Sequence, residues 1–206
     1  MIKKLEKLPY FTLNQFSLFY KNKKSASIVI SNKLRQKKIH NIREWIYISD
    51  EKLKEISLSN KITSFKEFIA THLIYTPSYL SLEYVLFENN VITENVYTFT
   101  LVTTNKTATF KNNFGTFRYK SIKKTFFWEY NTILIWDFII YKAIPEKALF
   151  DYFYFQRWFI FKEDYIKELR LNLENIDLKL FEKIINKYKS QKVKKIFNII
   201  KKMQWL

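Results

Sequence analysis

The sequence predicts an α+β chain, with an N-terminal winged helix-turn-helix followed by a mixed domain of antiparallel sheet and C-terminal helices. Three observations predict it. Short helical patterns and one alternating segment fill the first fifty residues. Alternating aromatic and threonine runs follow between about 97 and 141, and two amphipathic stripes close the last third. In 206 residues, 48% are apolar and 19% aromatic, enough to fill a large core.

Residues 2–8 are amphipathic and end at Pro9, and Thr12-Leu13-Asn14-Gln15 has the form of a capping box that opens a second helix through Tyr20. After the basic turn 21–24, Ser25 is the expected N-cap of a third helix to about Lys38, with Ala26, Ile30 and Leu34 facing inward. Its other side shows Ser27, Ser31, Asn32, Arg35 and Lys38. From Ile42 to Ser49 the pattern alternates, with Ile42, Ile46 and Ile48 on one face and Arg43, Trp45 and Tyr47 on the other. Helix, helix, polar helix and hairpin is the order of a winged helix, expected over residues 1–50.

The polar residues 50–60 are expected to link this unit to a second domain, 60–206. Helices are predicted at 64–75 and 81–89, the latter with Ser81 as N-cap and Glu83 in its first turn, separated by a break at Thr76-Pro77-Ser78. Strands are predicted around Tyr97, Phe99 and Leu101, around Phe117 and Tyr119, and at about 125–130 and 134–141. Gly115 is the single glycine, and a turn with positive φ is the expected reason for it. Pro145 fits the first turn of a helix through Phe155. Leu178, Phe181, Ile185 and Tyr188 form one apolar stripe. Val193, Ile196, Phe197, Ile200 and Met203 form another, opposite Lys194, Lys195, Lys201 and Lys202.

Charge is uneven. Residues 1–43 carry eleven Lys/Arg against one carboxylate, Glu6, and residues 183–206 carry eight lysines against none, so the ends hold +10 and +8 of a net +17. A lysine-rich composition does not explain a neutral middle. Concentrated positive ends draw polyanions by counterion release, so double-stranded DNA is the first expected partner and an anionic membrane surface the second. In the first case the third helix enters the major groove. Ser25, Ser27, Ser31, Asn32 and Arg35 then lie at its base-reading and phosphate-reading side, while Lys23, Lys24, Lys38 and Arg43 hold the backbone. Trp45 and Tyr47 read either as wing residues against sugar or base, or, more commonly for such aromatics, as packing against the following domain. Lys194, Lys195, Lys201 and Lys202 form a possible secondary basic surface for phosphate, lipid or an acidic partner.

Other chemistry has little support. No cysteine is present, which removes disulfides and thiolate metal sites, and His40 and His72 lack ligands at metal spacing. One glycine permits no phosphate-binding Gly-rich loop. Neither apolar window, 133–144 or 149–161, approaches the roughly 18 uninterrupted residues of a membrane span, and no secretory pattern follows the charged start. A cytoplasmic, non-enzymatic protein without cofactor or metal is expected. The first alternative is a non-enzymatic module that keeps the winged helix and docks another protein directly through its large aromatic second domain, helix-turn-helix units themselves also serving as docking modules. Glu83, Glu88, Glu146 and Asp151 leave a metal-dependent nuclease as the weaker one.

The segment Pro77-Ser78-Tyr79-Leu80-Ser81-Leu82-Glu83, leading to Leu86 and Asn90-Val91-Ile92, resembles a signature of AbiEi-type antitoxins of abortive-infection systems. Val102-Thr103-Thr104 with Gly115-Thr116-Phe117-Arg118-Tyr119, and Ala143-Ile144-Pro145-Glu146-Lys147-Ala148-Leu149-Phe150-Asp151, agree with it in order. The resemblance covers about residues 5–160. It implies a DNA-binding N-terminal domain that represses its own operon, and a C-terminal domain that counters a nucleotidyltransferase toxin, by direct contact or through shared targets. Trp45 stands where the family commonly has a wing glycine, Tyr84 and Val85 replace small residues, and Asn90 replaces a glycine but tolerates left-handed geometry.

Overall fold

The structure, a computed structural model, describes residues 2–156 and 161–204; residues 157–160, within the second apolar window and at the end of the resembling region, lie outside the described residues. The architecture is α+β, with two sheets and a helical C-terminal third.

The N-terminal unit runs α1 (Ile2–Glu6), β1 (Phe11–Thr12), α2 (Leu13–Ser17), α3 (Lys23–Arg35), β2 (Ile39–Arg43) and β3 (Ile46–Ser49). The capping box forms as expected: the Gln15 amide donates to Thr12 Oγ1 at 3.2 Å and the Thr12 amide to Gln15 Oε1 at 2.8 Å. β1 and β2 flank β3 in an antiparallel sheet of order β1-β3-β2. Phe11, Leu13, Phe16, Ala26, Ile30, Ile39 and Tyr47 make a small core behind α3.

That sheet has two apolar faces. Ile42 and Ile48 belong to the main core instead, with Ile46 packed beside them. The polar stretch after Ser49 is itself helical, α4 (Asp50–Leu58), capped by Ser49 and anchored by Ile56. Asn112 Nδ2 donates to the Ile42 carbonyl at 2.7 Å, and Tyr10 lies 6.1 Å from Phe68, so the first unit is packed onto the second.

The second unit continues with α5 (Ile62–Ile69), whose last turn, Ala70–Ile74, is π-helical, then β4 (Ser78–Leu80), α6 (Leu82–Glu88), β5 (Thr98–Thr103), β6 (Ala108–Asn112), β7 (Gly115–Ser121), β8 (Tyr130–Ile135) and β9 (Phe138–Ala143). The six strands are ordered β6-β7-β5-β4-β9-β8. The sheet is mixed where an antiparallel one is expected: β5 runs parallel to β7 over six residues, and β4 parallel to β9. The expected strand at 125–130 is a short 3-10 turn, Lys124–Phe126, before β8, and the expected strand at 134–141 is divided between β8 and β9 by a turn at Trp136 and Asp137. Gly115 follows the two-residue turn Asn113-Phe114 with φ +143, and a Cβ there would sit 3.3 Å from the Phe99 ring.

Opposed strand residues share a face. Leu80 lies opposite Lys142, which reaches Glu67 on α5, while the neighbouring Tyr79 points the other way, to α7 (Pro145–Phe155). Helices therefore cover both faces. α8 (Glu163–Glu168), α9 (Leu178–Tyr188) and α10 (Gln191–Gln204) complete the chain, and both expected apolar stripes are buried against the main core.

Candidate nucleic-acid interface

Asn22, not Ser25, caps α3: its side chain accepts the Ser25 amide at 2.8 Å and the Ser25 hydroxyl at 3.0 Å. Asparagine one turn earlier satisfies the same orphan amide, so the helix begins at Lys23 and Ser25 becomes a first-turn residue. It ends at Arg35, where Lys37 takes φ 56 and the amides of Lys37 and Lys38 return to Leu34 and Lys33. Lys38 thus lies beyond the helix, in the connection to β2.

With Ala26 and Ile30 buried, Lys24, Ile28, Ser31 and Arg35 recur at spacings of three and four and form one outward stripe, with Asn32 beside it. Lys23, Lys24, Ser31, Asn32, Arg35 and Lys38 are exposed, and Ser25 and Ser27 are half-buried. Arg35 Nη2 donates to Asn32 Oδ1 at 2.5 Å and the Ser31 hydroxyl to the Ser27 carbonyl at 3.0 Å, so the stripe is ordered by its own contacts. Two nearby carboxylates are engaged elsewhere: Glu6 binds Lys33 at 2.6 Å, and Asp50 binds Lys54 at 2.7 Å and His40 at 2.9 Å, while Glu51 lines the same hollow as Lys37 and Lys38. The Lys54 hydrogen bond, and then that of His40, hold the Asp50 carboxyl below its usual range. Among the described residues Lys23, Lys24 and Lys38 have no ion pair.

Three sequence expectations change. Arg43 does not join the stripe; its guanidinium donates to the Ile74 carbonyl and lies 5.6 Å from the Phe110 ring, tying β2 to the second unit. Trp45 does not pack against the following domain: it is 52% exposed in the β2–β3 turn with φ 65. Tyr47 packs on Phe11 within the first unit, with ring centroids 5.9 Å apart. Sequence reasoning also missed Ile28, which is 56% exposed amid the polar stripe. A β-branched apolar residue out of phase with Ala26, Ile30 and Leu34 was the available signal.

The C-terminal lysines do not form a uniform row. Lys194 and Lys202 are exposed without an ion pair among the described residues, but Lys201 binds Glu182 at 2.7 Å and lies 4.6 Å from the Phe197 ring, and Lys195 lies 5.9 Å from Phe161. Lys192 is turned inward, donating to the Tyr154 carbonyl at 2.8 Å and to that of Gln156.

The two most distinctive resembling segments, 77–83 and 143–151, meet in the core. Lys147 and Asp151, both fully buried, pair one helical turn apart on α7. Tyr79 donates to Asp151 at 2.9 Å and accepts from Lys147 at 2.8 Å, and Ser81 donates to Asp151 at 2.8 Å. Ser81 therefore does not cap α6 with its side chain; Thr100 Oγ1 accepts the Tyr84 amide at 3.0 Å instead. The rings of Tyr79, Phe150 and Tyr188 surround the ammonium at 5.2 to 5.5 Å. Burial pushes the Asp151 carboxyl up and the Lys147 ammonium down, against their mutual attraction. Asn90 adopts φ 55, the left-handed geometry expected for it.

The four carboxylates of the nuclease alternative are dispersed among separate partners. Glu88 binds Lys142 at 3.0 Å, Glu146 accepts the Asp177 amide at 3.0 Å, Asp151 is paired as above, and Glu83 has Lys120 at 3.8 Å. Among the described residues no cluster of three or more His, Asp or Glu could hold a metal ion, and no helix is long and apolar enough to cross a membrane. No protein-family model matches the chain, and no curated protein matches it.

Proposed function

We propose that the chain is a DNA-binding transcriptional regulator of its own promoter region and the antitoxin of a toxin-antitoxin system, acting without catalysis in the cytoplasm. The observation that carries the DNA half is the α3 stripe: exposed Lys24, Ile28, Ser31, Asn32 and Arg35 on a helix backed by a sheet, with Lys23 at its start, Lys38 just beyond its end, and Glu6 and Asp50 already paired. A helix so presented fits the major groove, where Asn and Arg offer bidentate contacts to adenine and guanine edges and Ile28 offers an apolar contact to a thymine methyl. The antitoxin half rests on the resemblance to AbiEi-type proteins, which also makes a nucleotidyltransferase the toxin to test.

Electrophoretic mobility shifts on the chain's own upstream region test the reading. Lys38→Ala weakens binding to every sequence and flattens the salt dependence by about 0.9 log unit per lost phosphate contact, whereas Asn32→Ala and Arg35→Ala blur preference at particular base pairs. Binding no tighter than to scrambled DNA removes the regulator. A protein-docking module is the second reading, favoured by the exposure of Leu18 (81%) and Trp45 (52%) around the same unit. Stable co-purification with the neighbouring gene's product, without sequence-specific shifts, would select it.

A further inference from the structure

The two edges of the six-stranded sheet are finished differently. β6 carries Lys111, and its Asn112 is hydrogen-bonded to the β2 backbone at 2.7 Å, so that edge is charged and part-covered. β8 is an uninterrupted Tyr-Asn-Thr-Ile-Leu-Ile strand, with no charge, proline, glycine or bulge, and among the described residues no strand pairs with its outer side. Unpaired edges are ordinarily blunted by one of these devices, because their free amides and carbonyls template further pairing. Around this one lie Trp128 (61% exposed), Leu134 (68%), Trp136 (59%) and Ile139 (44%), with Ile139 directly opposite Leu134.

The geometry points to a second copy of this chain as the occupant, with β8 pairing antiparallel to β8 about a two-fold axis at Thr132. The two-residue turn makes Ile135 and Phe138 a directly bonded pair, so Ile133 and Asn131 also turn their backbone groups toward β9, while Leu134, Thr132 and Tyr130 turn theirs outward. A two-fold axis normal to the sheet keeps each residue on its own face. Centred on Thr132, it sets Thr132 against itself and Tyr130 against Leu134, using every outward amide of the strand. The exposed tryptophans lie four residues to either side of the same centre, and Trp128 of one copy is brought toward Trp136 of the other. Lys61 stands 4.7 Å over one face of Trp136, which leaves the opposite ring face for that contact. In a chain of net charge +17, close approach of two copies is repulsive over much of the surface, and β8, which carries no charged residue and is flanked by Glu129 and Asp137, adds nothing to that repulsion. This pairing is independent of DNA binding.

The absence of cysteine gives a direct test on the full chain. Thr132→Cys, placed about 5.5 Å in Cα separation from its own copy, forms a disulfide-linked dimer under mild oxidation, while Lys111→Cys on the opposite edge does so far more slowly. Sedimentation of the unsubstituted chain gives a concentration-dependent dimer, which Leu134→Pro converts to a monomer by removing one outward amide while the circular dichroism is retained. Should Leu134→Pro fail to fold, the paired cysteine variants decide alone. A chain monomeric at every concentration, equal crosslinking of the two variants, or a dimer that survives Leu134→Pro in a folded chain overturns the inference. So does a monomer whose β8 amides are protected only by a different protein.

Discussion

At the residue scale, among the ion pairs of the described residues, Lys147–Asp151 is the pair with both side chains fully buried. Two charges taken out of water are tolerated only because Tyr79 and Ser81 complete the hydrogen bonding of the carboxylate and three aromatic rings line the ammonium. Removing one partner leaves the other uncompensated. Asp151→Ala is expected to lower stability by about 3–5 kcal/mol, and adding Lys147→Met to that variant to cost little more or to recover part of the loss. Denaturant titration of the two single variants and the double variant checks this, and additive costs would mean that the residues do not act as a unit. Lys147 and Asp151 were visible in the sequence at helical spacing, but their environment was not. Tyr79 and Ser81 come from a strand and its end about seventy residues earlier, and only the β4–β9 pairing brings them to α7. The same limit applied to Arg43, whose charge suggested phosphate and whose partner proved to be a carbonyl on α5's last turn.

Elements were legible where local chemistry decides them. The Thr12 capping box, the first-turn Pro145 and the apolar periods of α9 and α10 are set by neighbours within four residues. Long-range pairing was not legible. β6 reads Ala-Thr-Phe-Lys-Asn, short and half-polar, and becomes a strand because β7 pairs with all five of its residues. The parallel β5–β7 pairing skips over β6, a choice no local alternation encodes. α5 shows a further non-local effect in its widened last turn, where His72 stacks between Phe68 at 5.0 Å and Tyr141 of β9 at 4.5 Å. Burial lowers the His72 pKa below its ordinary 6.5, with a hydrogen bond at Phe68 opposing in part. The imidazole is therefore neutral in the fold at a pH where the unfolded chain is protonated. Its contribution is fully present above about pH 6.5 and is lost as pH falls toward the folded pKa. Urea midpoints should drop between pH 7.5 and 5.5, and His72→Phe, which keeps an aromatic ring in the stack, should flatten that drop; an unchanged slope would remove His72 as its source.

For the whole molecule, the predicted boundary near residue 50 is not a break in packing. β2 and β3 present Ile39 and Tyr47 to the core behind α3, but Ile42 and Ile48 to the main core, so one small sheet is buried from both sides. α4 continues this contact through Ile56 where a solvated link would have interrupted it. An isolated N-terminal unit would expose Ile42, Ile46 and Ile48 together, an apolar face with no other cover. The +10 at the N-terminal end is thus mounted on a sheet shared with the rest of the chain, and the orientation of α3 is fixed relative to the second unit. Folding should follow the same connectivity. Calorimetry is expected to give one transition with equal van't Hoff and calorimetric enthalpies. Ile48→Ala, at a side chain with 0% exposure, should cost about 2–5 kcal/mol and move that single transition down without splitting it. An early N-terminal transition separated from a later main one would show instead that the two cores unfold independently and that the shared sheet does not couple them.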